Sequence, residues 1–404
     1  MPSASSPEPT QTSSGVRCSR PLRRPSSLGC ERQRQQEPTP RPNSPVGAAP
    51  PPAWAAGAAA VYCGRQGPPI SSRRRVTGPL VVVIVSGMLL IVLSADYFTN
   101  GVEWLGRSLR LGAGAVGTLL AALGTALPET LVPVMALLFG VGNASEAVGL
   151  GAILGAPFML STLGFLVLGT GLWWLRRPSA VALADVDAVS RDLKFFLVAL
   201  GAAIGASWLA PPLRRAVALA LAAGYVLFAR AVLRGGRGQA SEEPAESLHL
   251  WHHPNPPLLV VVFQVALALG GLIVGTHYFV DALVHVAAGS GVSGFLLSVV
   301  LTPVATELPE VLNSVIWLRR RADTLAFGNV TGAMAFQSSL VPALGMWLTP
   351  WRFSRLELAV GLISLAAAIW VLVAIGRDRL GARPLMAAGA FYALFVGAVL
   401  AGVR

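Results

Sequence analysis

The chain has 404 residues, of which 54% are hydrophobic and only 12% are charged. Soluble globular proteins carry about 25% charged residues, so this chain has too little charge to cover the surface of a soluble monomer. The mean hydropathy of +0.63 indicates a bundle of transmembrane helices and excludes an ordinary soluble enzyme.

The formal net charge of +12 does not indicate nucleic-acid binding. Many of the arginines lie between Arg17 and Arg75, and the others stand near the ends of apolar segments, as membrane topology requires. We therefore expect no nucleic-acid partner. The three cysteines also precede the apolar segments, so the predicted bundle has neither a disulfide nor a thiolate metal site (Cys18, Cys30, Cys63).

Composition divides the chain into four parts. Residues 1–78 are rich in Pro, Ser, Arg and Gln and show no helix or strand period, which predicts a disordered tail or an overextended start of translation. A regulatory role for this tail is the alternative. Residues 79–234 and 257–402 are predicted to form two repeats, and the polar segment 235–256 between them is a central loop.

Ten apolar segments follow the tail, and each is near or above the ~20 residues needed to cross the hydrocarbon. They are 79–103, 112–139, 146–175, 192–210, 213–234, 257–285, 293–318, 324–349, 354–376 and 383–402. We predict an all-α integral membrane protein with about ten transmembrane helices, multi-pass in the plasma membrane and in contact with its lipid. The sequence leaves the oligomeric state open.

An internal repeat relates the two halves. A shift of 181 residues places Asp96–Asn100 on His277–Asp281 and Gly124–Glu129 on Ala305–Glu310. The shared Thr-x-Leu-Pro-Glu, in the middle of two apolar segments, seldom arises by chance. Five spans per repeat is an odd number, so the copies are predicted to enter the membrane from opposite sides, as in many secondary transporters.

Glu129 and Glu310 are the principal candidate site residues. A carboxylate near the bilayer centre is costly and persists when it is paired or functional. Pro128 and Pro309 precede them, and we expect these prolines to interrupt their helices and free backbone carbonyls. Two symmetry-related carboxylates beside such carbonyls predict an oxygen site for a divalent cation.

Further oxygens are predicted around this pair. Thr125 and Thr306 lie one helical turn before the glutamates, and Asn329 is the best candidate on a following span. Glu307 has no acidic counterpart in the first repeat, because the equivalent residue there is Ala126. We expect Glu307 to be an additional ligand or to carry a proton during the cycle. The alternative is that Glu307 faces a water-filled vestibule and only tunes the attraction of cations to it. Secondary candidates are Ser161, Gln337 and Ser338.

Glycines and polar residues elsewhere have less specific interpretations. The repeated glycines are predicted to let helices pack closely (Gly149, Gly151, Gly155, Gly328, Gly332). Polar residues at the ends of the first and sixth segments indicate either a vestibule or interfacial anchoring (Asp96, Asn100, Glu103, His277, Asp281, His285). The histidines of the central loop are expected to be solvated rather than metal-binding (His249, His252, His253).

The paired motifs resemble the two α-repeats of the cation/calcium exchanger superfamily, which includes sodium/calcium and calcium/proton exchangers. In that family G-T-S-x-P-E is followed one span later by G-N-x-x-G-S-N, and the resemblance covers residues 79–402. It implies alternating-access antiport, with Ca²⁺ held by Glu129 and Glu310. It also implies oxygens from the motif threonines and the surviving asparagine (Thr125, Thr306, Asn329).

Departures from the family motifs bear on the coupling ion. The motif serine is Ala126 in one repeat and Glu307 in the other, and Ala333 and Met334 stand where the second motif has serine and asparagine. The first repeat has lost both asparagines and the serine of that second motif. Sodium coupling is therefore less expected than proton coupling, and the divalent ion is left open.

The sequence thus predicts a secondary-active antiporter, not an enzyme, that exchanges Ca²⁺ or a similar cation for Na⁺ or H⁺. These ions are its transported partners, and no cofactor is expected. Two alternatives stay open. One is an uncoupled cation channel, and the other is a non-transporting membrane sensor or scaffold that retains the exchanger fold.

Overall fold

The computed structural model describes residues 78–108, 126–140, 142–176, 186–235, 247–253, 255–377 and 380–401. The predicted disordered tail lies outside the described residues. So does Thr125.

Helices form almost all of the described structure, and the ten apolar segments each correspond to one of them. They are α1 (Gly78–Ser108), α2 (Ala126–Phe139), α3 (Asn143–Met159, continued through a π-helical turn at Leu160–Gly164 into Phe165–Arg176), α4 (Val186–Gly205), α5 (Pro211–Gly235), α6 (Leu258–Ser290), α7 (Gly294–Arg319), α8 (Asp323–Leu348), α9 (Arg355–Gly376) and α10 (Ala382–Leu400).

Seven of these helices are long and apolar enough to cross a membrane, namely α1, α3, α5, α6, α7, α9 and α10. Three others are less apolar or shorter: α2 is a short apolar helix, α4 carries charged side chains and α8 carries several polar ones. Within the described residues, β-type pairing is limited to a bridge between Leu248 and Trp251. The predicted all-α integral membrane class is confirmed.

The first helices of the two halves, α1 and α6, pack along each other. Small residues bring their backbones close: a Cβ added at Gly87 would lie 3.1 Å from Cβ of Phe279 and 3.2 Å from the carbonyl oxygen of Gly275. Near the other end of α1, a Cβ at Gly101 would lie 2.9 Å from a methyl carbon of Val265. Helices related by the sequence repeat are therefore direct neighbours.

The interior is built around α3, α7 and α8. Helix α3 packs on α7, whereas α8 packs on α4, α5 and α7. Every residue from Val148 to Met159 is buried, so this part of α3 is enclosed by protein on all sides. Because α2 also belongs to this region through its buried residues, the glutamates of α2 and α7 come from opposite halves to the same interior.

Glycines permit the close approach of α3 to α7. A Cβ on Gly151 would lie 2.7 Å from the carbonyl oxygen of Phe295, and one on Gly155 would lie 2.9 Å from Cα of Val299. The packing prediction is thus confirmed for these glycines. It is wrong for Gly328 and Gly332 of α8, because a Cβ at either position would meet no heavy atom within 4 Å. Gly149, also as predicted, faces a neighbour, the side chain of Leu137.

The expected helix break at Pro309 is wrong. Helix α7 continues from Gly294 to Arg319 through both Pro303 and Pro309. Proline lacks an N–H, so Pro309 still cannot donate the usual helical hydrogen bond to the carbonyl of Ala305. Pro128 is the third described residue of α2, and the turn before it lies outside the described residues.

We predict that Gly151→Ala destabilises the protein by about 1–3 kcal/mol, because the added methyl group meets backbone that cannot move away cheaply. Thermal unfolding of the purified protein in detergent measures the change. Gly332→Ala is the matched control. Its open surroundings predict no loss, and replacing a helical glycine by alanine favours the helix. Equal destabilisation by both substitutions would contradict the packing described here.

Candidate cation site

Three glutamates meet in the interior. One carboxylate oxygen from each of Glu129, Glu307 and Glu310 lies within 4.8 Å of the others. Their side chains are almost inaccessible, with relative exposures of 6%, 0% and 3%. No ion pair links them to a Lys, Arg or His in the described ranges. A buried cluster of negative charge without a basic partner is costly unless a cation or protons compensate for it.

Helix geometry explains why these three residues converge. Glu307 and Glu310 are three positions apart, so they lie on the same face of α7. Glu129, the repeat partner of Glu310, is carried by α2. The predicted pair therefore does come together, and Glu307 points into the same cluster rather than into a separate vestibule.

The carboxylate of Glu307 is held by two hydrogen bonds. Its Oε1 accepts from the Thr306 hydroxyl at 2.8 Å, and its Oε2 accepts from Nε2 of Gln337 at 2.7 Å. Both donors are themselves buried. Each oxygen of Glu307 thus has a donor, which fixes the position and orientation of its charge.

Other oxygens of the cluster have no donor among the described residues. Oε2 of Glu129, Oε2 of Glu310 and Oε1 of Gln337 are all buried and make no hydrogen bond. Buried polar atoms are nearly always satisfied in folded proteins, so three such acceptors in one place need an explanation. A hard cation is a partner whose chemistry matches all three.

Asn329 supports the cluster from α8. Its Nδ2 donates to the backbone carbonyl of Glu310 at 2.8 Å and to the hydroxyl of Ser314 at 3.1 Å. The hydroxyl of Ser314 donates to the same Glu310 carbonyl at 2.8 Å. Asn329 therefore braces the turn of α7 that carries Glu310.

The secondary candidates divide into two groups. The hydroxyls of Ser161 and Ser338 donate to carbonyls of their own helices, those of Phe158 and Ala335. Gln337, in contrast, contacts the cluster directly. The sequence gives Gln337 only as a secondary candidate, because a polar side chain within a span is often an ordinary interhelical hydrogen-bonding group. Its position about two helical turns after Asn329, on the same helix, is the available clue.

A second polar network lies at the central loop, where residues 247–251 form what we call the central clasp. Oδ1 of Asn100 on α1 accepts from the backbone N–H of His249 at 3.1 Å and from Nε2 of Gln264 on α6 at 2.9 Å. The side-chain oxygen of Gln264 accepts from the N–H of Leu250 at 2.9 Å. The side chain of Leu248 is fully buried.

His249 is anchored and not simply solvated, contrary to expectation. Its Nε2 lies 2.9 Å from Oδ2 of Asp96, and its ring packs edge-on against Tyr97 at 4.8 Å. Asp96 and Asn100 thus serve as anchors for the loop. Towards the C-terminal end of α6, Nδ1 of His285 lies 2.8 Å from the backbone oxygen of Asp281 in the same helix.

A bundle of membrane-spanning helices with a buried carboxylate cluster, shared between two related halves, defines a multi-pass membrane protein of the cation-transporter class. The family model described as "Sodium/calcium exchanger protein" matches residues 79–234 and 260–402. The chain belongs to this family, which confirms the resemblance to the cation/calcium exchanger superfamily. The family consists of transporters and is not a class of enzymes.

Individual relatives agree with this assignment. The "Putative antiporter CaxA" of Alkalimonas amylolytica is 26% identical over 271 residues, which cover 67% of this chain and 81% of the relative. The "Inner membrane protein YrbG" of Escherichia coli (strain K12) is 26% identical over 272 residues, or 66% of this chain and 79% of that protein.

Solved structures share the fold. The crystal structure of the H⁺/Ca²⁺ exchanger CAX superposes with a TM-score of 0.63 and 17% identity, covering 86% of this chain and 85% of that one. A structure of the sodium-calcium exchanger NCX_Mj superposes with a TM-score of 0.51 and 19% identity, covering 81% of this chain and 99% of that one.

We predict that Asn329→Leu lowers the free energy of unfolding by about 1–3 kcal/mol, because it removes the donor to the Glu310 carbonyl. Thermal unfolding in detergent is the measurement. Ser338→Ala is the control, since that hydroxyl bonds only within its own helix and its loss should matter less. A smaller effect for Asn329→Leu than for the control would show that Asn329 does not brace α7.

Proposed function

We propose that this protein is a secondary-active antiporter that exchanges Ca²⁺, or a similar cation, for Na⁺ or H⁺ by alternating access. The observation that carries the proposal is the buried cluster of Glu129, Glu307 and Glu310, with donor-free oxygens on helices of both halves. Carboxylate oxygens are the ligands that Ca²⁺ takes in proteins. A site between two halves that the sequence predicts to be inverted suits a transporter that opens alternately to each side.

Within this proposal, Glu129 and Glu310 are the principal ligands, because each offers a carboxylate oxygen that no donor occupies. The amide oxygen of Gln337 is a neutral ligand beside them. Assisting oxygens are assigned to Thr125, Thr306 and Asn329. Glu307 is assigned as an additional ligand or as the proton carrier. The transported ions are substrates, and the proposal needs no resident cofactor. We place the protein in the plasma membrane.

The coupling ion is proposed to be H⁺ in preference to Na⁺. Two departures from the family motif support this choice: Ala126 removes a hydroxyl oxygen, and Glu307 adds an ionisable group to the cluster. Relatives do not settle the matter, because CAX is described as an H⁺/Ca²⁺ exchanger and NCX_Mj as a sodium-calcium exchanger.

Two other functions remain as rivals. An uncoupled channel would conduct without a driving gradient of a second ion. A sensor or scaffold would not transport at all, and the altered first repeat favours it. Retention of Glu129 and Glu310 argues against a scaffold, because unused buried carboxylates only reduce stability in a membrane.

We predict that Glu129→Gln and Glu310→Gln each reduce cation exchange to the background rate, because each removes a charged ligand while preserving side-chain shape. The measurement is ⁴⁵Ca²⁺ uptake into proteoliposomes with a pH gradient or a Na⁺ gradient imposed. Asp281→Asn is the control, since it removes a carboxylate that is 59% exposed at the end of α6 and should leave uptake unchanged.

The gradient that drives uptake identifies the coupling ion. Uptake driven by pH alone would support proton coupling, and uptake driven only by Na⁺ would reject it. Uptake that both glutamine variants leave intact would reject the site. Conductance without any imposed gradient of H⁺ or Na⁺ would favour the channel.

A further inference from the structure

We propose that Glu307 determines the valence preference of the site: in its charged form it supplies a third negative charge, held in position, that favours divalent over monovalent cations. This inference rests on the proposed function, because it concerns the same site, and it assigns to one residue the selection of the substrate class.

The hydrogen bonds of the cluster separate Glu307 from the other two glutamates. Both of its oxygens have buried donors, at 2.8 Å from Thr306 and at 2.7 Å from Gln337. Glu129 and Glu310 each retain an oxygen without a donor. Each carboxylate oxygen has two lone pairs, so these single hydrogen bonds hold the Glu307 carboxylate in place and leave its charge facing the cluster. A charge held in this way acts through its field and needs no reorganisation when an ion arrives.

Simple electrostatics makes such a charge selective. The energy of two charges scales with their product, so a fixed carboxylate attracts a divalent ion twice as strongly as a monovalent ion at the same distance. The distances are short, since the three carboxylates lie within 4.8 Å of one another. Burial keeps solvent ions from screening this attraction. Removing one negative charge therefore weakens the binding of Ca²⁺ more than the binding of Na⁺.

Glu307 also orients the neutral part of the site. Because Nε2 of Gln337 donates to Glu307, its amide oxygen Oε1 is turned away from that carboxylate, and it has no donor among the described residues. The same hydrogen bond thus fixes the third charge and presents a ligand oxygen.

The sequence repeat shows that this charge is not required by the fold. The position equivalent to Glu307 in the first half is Ala126. The fold therefore accommodates a small side chain at the equivalent place, and Glu307 is an addition to one half only.

The test is equilibrium ⁴⁵Ca²⁺ binding to the purified full-length protein in detergent, with displacement by Na⁺. Glu307→Gln keeps the shape and can still accept one of the two hydrogen bonds at its amide oxygen, but it removes the charge. We expect its Kd for Ca²⁺ to rise by about tenfold or more, with a much smaller change in the Na⁺ inhibition constant. Selectivity for Ca²⁺ over Na⁺ then falls by about tenfold. Asp281→Asn should show no change in either constant.

Equal loss of affinity for both ions in Glu307→Gln would overturn the proposal, since it would make Glu307 a structural residue and not a source of charge selectivity. Glu307→Ala, which introduces the residue of the first half, provides the same comparison if the glutamine variant does not fold. Failure of the wild-type protein to bind Ca²⁺ would overturn the proposed function together with this inference. Loss of selectivity in the Glu307 variants, with Ca²⁺ binding abolished in Glu129→Gln and in Glu310→Gln, would support both.

Discussion

The cost of burying negative charge in a low-dielectric interior is the constraint on which the rest of the structure depends. Three carboxylates within 4.8 Å, almost without exposure, repel one another and cannot be stabilised by water. The surrounding helices compensate in part. Gln337 and Thr306 satisfy one carboxylate, whereas Glu129 and Glu310 each keep a buried oxygen without a donor among the described residues.

The enclosing helices are arranged to hold this charge in place. Glycines such as Gly151 and Gly155 bring α3 against α7 at backbone distance, and this contact fixes the helix that carries two of the three glutamates. Asn329 fixes the same helix from α8 by donating to the carbonyl of Glu310. Packing and hydrogen bonding therefore have the same effect: both fix the spacing of the carboxylates, on which the specificity of such a cluster for an ion depends.

Much of this arrangement was predictable from the sequence, and the reasons are physical. The apolar segments and the repeated Thr-x-Leu-Pro-Glu predicted the helices and the meeting of Glu129 with Glu310, because hydropathy and repetition are properties of the chain itself. The continuity of α7 through Pro309 was not predictable, since neighbouring helices can hold a proline within a helix. Nor were the roles of Gln337 and His249, whose partners lie far away in the sequence.

The central clasp has a mechanical consequence. Asn100 of α1 and Gln264 of α6 bond to each other and to the same short stretch of loop, where Leu248 is buried. These two helix ends cannot separate without leaving several buried polar groups without partners. The position of α1 is therefore coupled to that of α6 at the central clasp. The described part of the central loop, residues 247–251, thus tethers the first helix of one half to the first helix of the other, so the loop is a structural brace as well as a connection.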